Sequence, residues 1–473
     1  MTRTFYTRLL MGAFVVGFLS VGNIWGDEPI RSEIGRALSD LDVALQDDSS
    51  MNADTKSALL NLSDALRSGG GQGTVFPVTA SVNDTSLVAA SSEFNGGKDC
   101  GCGCGGKDWC AKEVKLPGNT CVLSFFGDFR LRHESRYNTP RQPGHNRHRE
   151  RIRFRFGANF EISDQLLVGF RARTGNPDDP NSPHHTMSDA FDSLDFNLDR
   201  AFLRYTPYWA PNVALFGGKF ANPFDVNPVY SELVWDADIN PEGIALVWDG
   251  GGAVRAVVGA YIVDERHQGM PVSFEETTLI TAQITGRKDL SDSSEVFGSV
   301  GYYYYSELNP NGSTTLVTGQ EARGNLMVGA PELYASDFGI VDAFLAYKTH
   351  SGCVPIVFSA EYIKNDRAIN NNDEGYAAGF AIGQTSNPGD RKVFYQYQDI
   401  EQEAVFAGFA NDDFPYATNY SGHVIGGEQK LGKATVVRIW ALNSERQILD
   451  ASPTNRFPDS SRWTFRADLN VKF

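Results

Sequence analysis

Arg149, Arg151, Arg153 and Arg155 occupy every second position of one short segment. In an extended strand that spacing puts all four on one face, leaving Ile152, Phe154, Phe156, Ala158 and Phe160 on the other. Guanidinium groups remain charged and present a fork of donors that suits anions. A dry core would not take four unpaired cations, whereas a water-filled lumen backed by lipid-facing phenylalanines would. Arg130 and Arg132 repeat the spacing upstream, and nine arginines fall between Arg130 and Arg155. Acids gather elsewhere, at Asp178, Asp179, Asp189, Asp192, Asp195 and Asp199, and again at Asp236 and Asp238. A cationic wall opposite acidic loops would set a transverse field that orients polar solutes and favours anions. The alternative is that the arginines pair with acids and brace the wall. The expected lining residues are Arg130, Arg132, Arg149, Arg151, Arg153, Arg155, Lys219, Asp236 and Asp238.

A second cluster is made of sulfur. Cys100, Cys102, Cys104, Cys110 and Cys121 are interleaved with Gly101, Gly103, Gly105 and Gly106, which let the backbone turn tightly. Thiolates could hold zinc or copper(I), and Cys100, Cys102, Cys104 and Cys110 are the candidates. C-x-C-x-C is not zinc-ribbon spacing, however, and an exported chain favours disulfides. Five cysteines leave one over, and Cys353 is either its partner or a lone thiol. We expect no metal and no cofactor. His184 and His185 near Asp178, Asp179 and Asp189 fit a solvated loop better than a divalent site. Asn370 to Gly375 is calcium-like in composition but lacks the ligand register of an EF-hand, and reads as a turn. Ser421 and His423 form a close serine–histidine pair that a lipid hydrolase could use, with no activating group in sight. G-x-S-x-G, H-E-x-x-H and P-loop motifs are absent.

The elements that must position these groups divide the 473 residues into five regions. Residues 1–26 read as a signal peptide: Arg3 and Arg8 precede the apolar run Leu9 to Val21, with Gly22 and Gly26 after it. Residues 27–68 carry Ile30, Ile34, Leu38, Leu41 and Leu45, then Leu59, Leu62 and Leu66, at helical steps. They predict short amphipathic helices or a coiled coil, serving as an oligomerisation or peptidoglycan-tethering element or packing on their own chain. Residues 69–99 are a Gly/Ser/Thr-rich linker, 100–121 the cysteine segment, and 122–473 a region of period two. The net charge of −16 argues against nucleic acid as a partner.

The last strand is the clearest. Trp463, Phe465, Ala467, Leu469, Val471 and Phe473 alternate with Arg462, Thr464, Arg466, Asp468, Asn470 and Lys472. Such a length suits a tilted strand crossing a bilayer, which needs about 9–11 residues. Fourteen further segments alternate less cleanly: 125–133, 166–173, 201–205, 213–220, 244–249, 254–263, 278–285, 296–305, 341–348, 356–364, 376–382, 393–398, 422–428 and 435–441. With the arginine segment the expectation is an all-β transmembrane antiparallel barrel of about 16 strands, with 14 to 18 open, a size that leaves an aqueous channel. Tyr302 to Tyr305 are expected in a membrane-interface belt.

Ordered motifs run through this region: Gly127-Asp128-Phe129-Arg130-Leu131-Arg132, the Arg149–Arg155 ladder, Asp199-Arg200-Ala201-Phe202 and Gly218-Lys219-Phe220. Trp235-Asp236-Ala237-Asp238 with Pro241-Glu242-Gly243, and Asn411-Asp412-Asp413-Phe414, complete the series. In these, residues 122–473 resemble the putative porin family of bacterial outer-membrane β-barrels. The resemblance implies a transmembrane pore and little about its solute, and it does not reach the cysteines. The expected function is an outer-membrane porin passing small hydrophilic solutes or ions, and not an enzyme. Expected partners are outer-membrane lipid, the barrel-assembly machinery reading Phe473, and a second copy or peptidoglycan at residues 27–68. A barrel acting only as an anchor for the N-terminal helices is the alternative, and a barrel-embedded lipid hydrolase a more distant one.

Overall fold

The structure, a computed structural model, describes residues 114–115, 122–137, 146–188, 191, 193–230, 232–265, 276–308, 323–329, 333–448 and 461–473. The segments expected to be a signal peptide, helices over 27–68 and a linker, and the clustered cysteines, lie outside the described residues. Sixteen long strands are present: β1 Val122–Tyr137, β2 Arg147–Glu161, β3 Leu166–Thr174, β4 Phe196–Tyr205, β5 Val213–Lys219, β6 Glu242–Asp249, β7 Val254–Asp264 and β8 Thr277–Ser291. The series continues with β9 Ser294–Ser306, β10 Gly339–Ser351, β11 Val354–Asn365, β12 Glu374–Gly383, β13 Arg391–Ile400, β14 Tyr420–Lys430, β15 Thr435–Arg446 and β16 Arg462–Lys472. Each pairs antiparallel with its chain neighbour, and β16 returns to β1 from Asp128↔Lys472 to Tyr137↔Trp463, closing the barrel. Every alternating segment read from the sequence falls on its own strand.

Closure removes the two edges an open sheet would expose. At the seam Gly127 N–H donates to the Phe473 carbonyl (2.9 Å), and Phe473 N–H donates back (3.0 Å). A Cβ on Gly127 would stand 2.6 Å from both the Arg155 carbonyl oxygen and the Phe473 ring. The glycine that opens the first motif is therefore what lets the terminal phenylalanine close the wall.

Connections alternate in length. Residues 162–165, 250–253, 292–293 and 352–353 are tight turns at one end of the barrel, while 401–419 and the described parts of 175–195, 220–241 and 307–338 belong to long connections at the other. The Pro207–Asn212 segment falls to a second compact unit and has its own turn, Ala210 N–H to Pro207 carbonyl (3.1 Å). The main apolar core lies inside the barrel. Phe220, Phe224, Leu233 and Trp235 from 220–241 meet Phe406 and Phe414 from 401–419, against Leu279, Tyr303, Ile340 and Ile363 on the strands. Tyr303 and Tyr305 are buried here. They point inward, which corrects their expected place in an interface belt: period two allows only Tyr302 and Tyr304 to face out.

Candidate functional site

Strand pleat decides which charges turn inward. On β16 Arg462, Thr464, Arg466 and Asp468 are buried, while Trp463 and Phe465 are 43% and 45% exposed. On β2 Arg151, Arg153 and Arg155 are buried and Phe154 and Phe156 face out. A bulge sharpens the wall at β4. The register to β3 skips one residue between Arg171↔Arg200 and Ala172↔Leu198, so Asp199 and Arg200 both turn inward and are buried.

Most of the inward arginines are held by carboxylates of the same or an adjacent strand. Asp128 accepts from Arg153 (2.7 Å) and Arg155 (2.6 Å). Glu134, fully buried, receives Arg136 and Arg466 at 2.8 Å and Arg149 at 2.5 Å. Asp468 takes a forked pair from Arg132 (2.7 and 3.1 Å) and the Trp440 indole N–H (3.1 Å). Arg171 reaches Asp199 at 2.7 Å, and Arg130 donates to Asn470 at 2.5 Å. Bracing is thus present along the wall.

The two inward loops bring further carboxylates to the same wall. Asp238 meets Arg155 at 2.9 Å, and Asp413 pairs with Arg466. The loops are tied together by Asp236 N–H to the Phe409 carbonyl (2.8 Å) and Asn411 N–H to the Glu232 carbonyl (3.1 Å). Asn411 Oδ1 accepts from the Asp413 and Phe414 amides (2.7 and 3.1 Å), which turns Asp413 toward the wall. Between wall and loops lies a small cavity of about 40 Å³. Arg130, Arg132, Arg153 and Arg438 line one side, and Glu232, Asp236, Asp238, Asp412 and Asp413 the other. Arg438 sits over Trp440 and Phe394, its guanidinium carbon 4.2 and 4.7 Å from their ring centres.

Loop carboxylates at this cavity divide by neighbour. Burial works against the charge of Asp413, yet Arg466, Arg132 and Arg438 hold its pKa at about 2. Burial likewise opposes Asp238, and Arg155 and Arg153 outweigh it, so its pKa is lowered. Glu232 and Asp236 lack that compensation: burial, then the nearby Asp413 and Asp412 respectively, push both well above the usual carboxylate range. Burial and then Arg132 and Arg151 hold His184 well below its ordinary value, which keeps it neutral beside the arginines.

The sequence-derived residues separate accordingly. Arg130, Arg132, Arg149, Arg151, Arg153 and Arg155 share the inner wall, with Asp236 and Asp238 opposite. Lys219 does not join them. It pairs in register with Ala201 and Glu242, on the face that exposes Leu203 and Ile244, and bonds Glu242 at 2.5 Å on that outer surface. Glu134 went unremarked, and Asp128 and Asp468 drew notice only as a motif member and a polar-face position, although their alternation with Arg130, Arg132 and Arg466 carried the signal. Asp413 carried none beyond its motif, and Glu232 and Trp440 belonged to no motif. No metal-competent group of His, Cys, Asp and Glu occurs among the described residues; Asp189 and the four candidate cysteines lie outside them. Asn370 Oδ1 accepts from the Asn372 amide (2.9 Å), as its reading as a turn implies. Cys353 is exposed in the short turn after β10. His423 spends Nδ1 on the Tyr395 hydroxyl (2.9 Å) and packs on Tyr397 rather than engaging Ser421.

Comparison with known proteins bears on this arrangement. Among solved structures the fold is similar to OprB of Pseudomonas putida at high pH, with 12% identity over 74% of this chain and 94% of that one, and a TM-score of 0.48. It is also similar to an anion-selective porin from Comamonas acidovorans (11% identity, 75% and 100% coverage, TM-score 0.44). The Salmonella typhi OmpF complex with daunomycin is similar at 11% identity, 76% and 100% coverage and TM-score 0.44. No curated protein matches the chain. The profile of the family described as putative porin matches residues 137–334 and 345–473. That span holds the arginine wall from β2 onward, both inward loops and the closing strand, and the chain accordingly belongs to the putative porin family, an outer-membrane β-barrel channel.

Proposed function

We propose that the protein is a passive channel for small hydrophilic solutes whose narrowest part is the slot between the arginine wall and the loops 220–241 and 401–419. The observation that carries this reading is the opposition of Arg130, Arg132, Arg153 and Arg438 to Asp238, Asp412 and Asp413 across one cavity. Guanidiniums and carboxylates on opposite walls set a field across the path, and a low-dielectric surround strengthens it. Arginines outnumber the acids on the strands, so the wall favours anions even after its ion pairs are formed. The short turns and Phe473 then face the periplasm and the long loops the exterior, the usual arrangement of bacterial barrels. Phe473 serves as the assembly signal, residues 27–68 provide a periplasmic contact to peptidoglycan or a second copy, and the clustered cysteines form disulfides.

Planar-bilayer recording in a salt gradient tests the slot. Replacing Arg151, Arg153 and Arg155 by Gln removes three charges and keeps donors. Reversal potential should move toward cation selectivity, most at low salt where the Debye length is longest. Unchanged selectivity with reduced thermal stability would make the ladder a brace alone.

A further inference from the structure

The outer wall holds a polar cluster where a barrel should show lipid only apolar side chains. His133 and Ser135 lie two apart on β1 and so share its outward face. Glu150 and His148 stand directly opposite them on β2. Glu150 Oε1 is 2.6 Å from His133 Nδ1, His133 Nε2 is 2.9 Å from Ser135 Oγ, and His148 Nδ1 approaches that Oγ at 2.8 Å. Carboxylate, imidazole and hydroxyl are joined in the order and through the nitrogens that activate a serine nucleophile. Glu150 fixes the His133 tautomer with Nδ1–H toward itself, which leaves Nε2 to accept the serine proton.

Two neighbours say what such a site would meet. Tyr137, Trp463 and Phe465 surround it, with ring centres 5.8 Å apart for Tyr137–Phe465 and 5.7 Å for Trp463–Phe465. Exposed aromatics of this kind mark the depth of the headgroups. An outer-surface groove of about 410 Å³ starts at His133 and Glu150 and runs between Leu131, Ile439 and Leu469 over Ala467. Ala467 pairs with His133 in register, so its small side chain opens the groove beside the imidazole.

We propose that Ser135, His133 and Glu150 form a lipid-ester hydrolase site on the barrel's outer wall, with the groove holding an acyl chain of a membrane lipid. Ser135 is 7% exposed, and His148 turns its Nδ1–H from the hydroxyl to the ester carbonyl oxygen as substrate arrives. The Oγ lone pair adds to the carbonyl carbon while the hydroxyl proton passes to His133 Nε2. The ester C–O bond breaks, and the alcohol leaves with that proton. Water then adds to the acyl-serine, its proton going to Nε2 and returning to Oγ as the carboxylic acid departs. This site faces away from the lumen and stands or falls independently of the channel.

The test uses the full-length protein in mixed micelles of detergent and diacyl phosphatidylethanolamine, following fatty acid release, with a fluorophosphonate probe mapped by peptide mass spectrometry. Release should fall at least about 100-fold in Ser135→Ala and in His133→Gln, and the probe should mark Ser135. Heat-modifiable gel migration confirms that each variant is a folded barrel. Glu150→Gln, which keeps the side chain's shape, should lower release while leaving Ser135 in place to be labelled more slowly. Equal release by wild type and Ser135→Ala, a probe adduct elsewhere, or neither release nor adduct in the wild type would overturn the proposal.

Discussion

The two sides of the barrel interior solve the same problem with different chemistry. Along β1–β4 and β16 many inward positions are arginines, most of them paired with acids of the same or a neighbouring strand. Along β8–β14 they mix apolar Leu279, Tyr303, Ile340, Ile363, Phe394 and Val424, covered by the apolar sides of two loops, with buried polar groups such as Gln283, Asp342, Glu361, Gln396 and Gln398. Both sides present apolar residues to lipid. The alternation of polar and apolar is therefore sharp on the arginine side and blurred on the other, where lipid and loops ask for the same residue types. The difference teaches that weak alternation in a barrel strand can report an inward loop rather than a poor strand.

The largest effect should come from breaking the charged side at its centre. Glu134→Ala leaves Arg136, Arg149 and Arg466 around an empty carboxylate position, and removing one partner from a buried ion network costs about 3–5 kcal/mol. A urea titration of the refolded barrel should show that loss, and Glu134→Gln should recover only part of it. An effect below 1 kcal/mol, roughly that of a surface pair, would mean that the wall is hydrated and does not depend on pairing.

The apolar side should break by volume instead. Trp235 is sandwiched by Phe224 (5.6 Å) and Phe409 (6.2 Å), with Tyr303 edge-on at 5.5 Å. Trp235→Ala should cost about 3–5 kcal/mol locally and release loop 220–241. Single-channel conductance should rise while reversal potential shifts little, because the wall charges stay. Unaltered conductance would remove the loop from the solute path.

On the lipid side both halves should respond alike. Phe465→Arg places a cation on the outward face beside Tyr137 and Trp463, at a cost of about 2–4 kcal/mol near the bilayer midplane and less toward the interface. Loss of heat-modifiable migration in membranes reports it. Normal assembly would mean that this face does not meet lipid.

The smallest effect joins the two sides. Asp413 has its pKa held at about 2 against an ordinary 3.8. A depressed carboxylate contributes stability above its unfolded pKa and loses it as pH falls through the folded one. Loop 401–419 should therefore loosen between about pH 4 and pH 2 by hydrogen exchange, with Asp413→Asn showing the looser state already at neutral pH. A transition identical in wild type and variant would assign the acid response to other groups.

From the sequence alone the strand number to within 14 to 18, the strand positions, the apolar face that ends in Phe473 and the face carried by Arg149–Arg155 could be determined, because a strand's side chains alternate whatever lies around them. The place of Asp236 and Asp238 opposite the arginines followed from motif order and the expectation of acidic loops. What the arginines touch did not, since Glu134 meets Arg466 across 332 positions of chain and only closure makes them neighbours. The same holds for Lys219, whose motif fits a pore but whose register turns it outward. It holds for Tyr303 and Tyr305, drawn inward by a core that two loops supply, and for Ser135, whose partners His148 and Glu150 sit on another strand. Alternation is local and can be read along the chain; partners are set by register and by loops folding back, and those are decided in three dimensions.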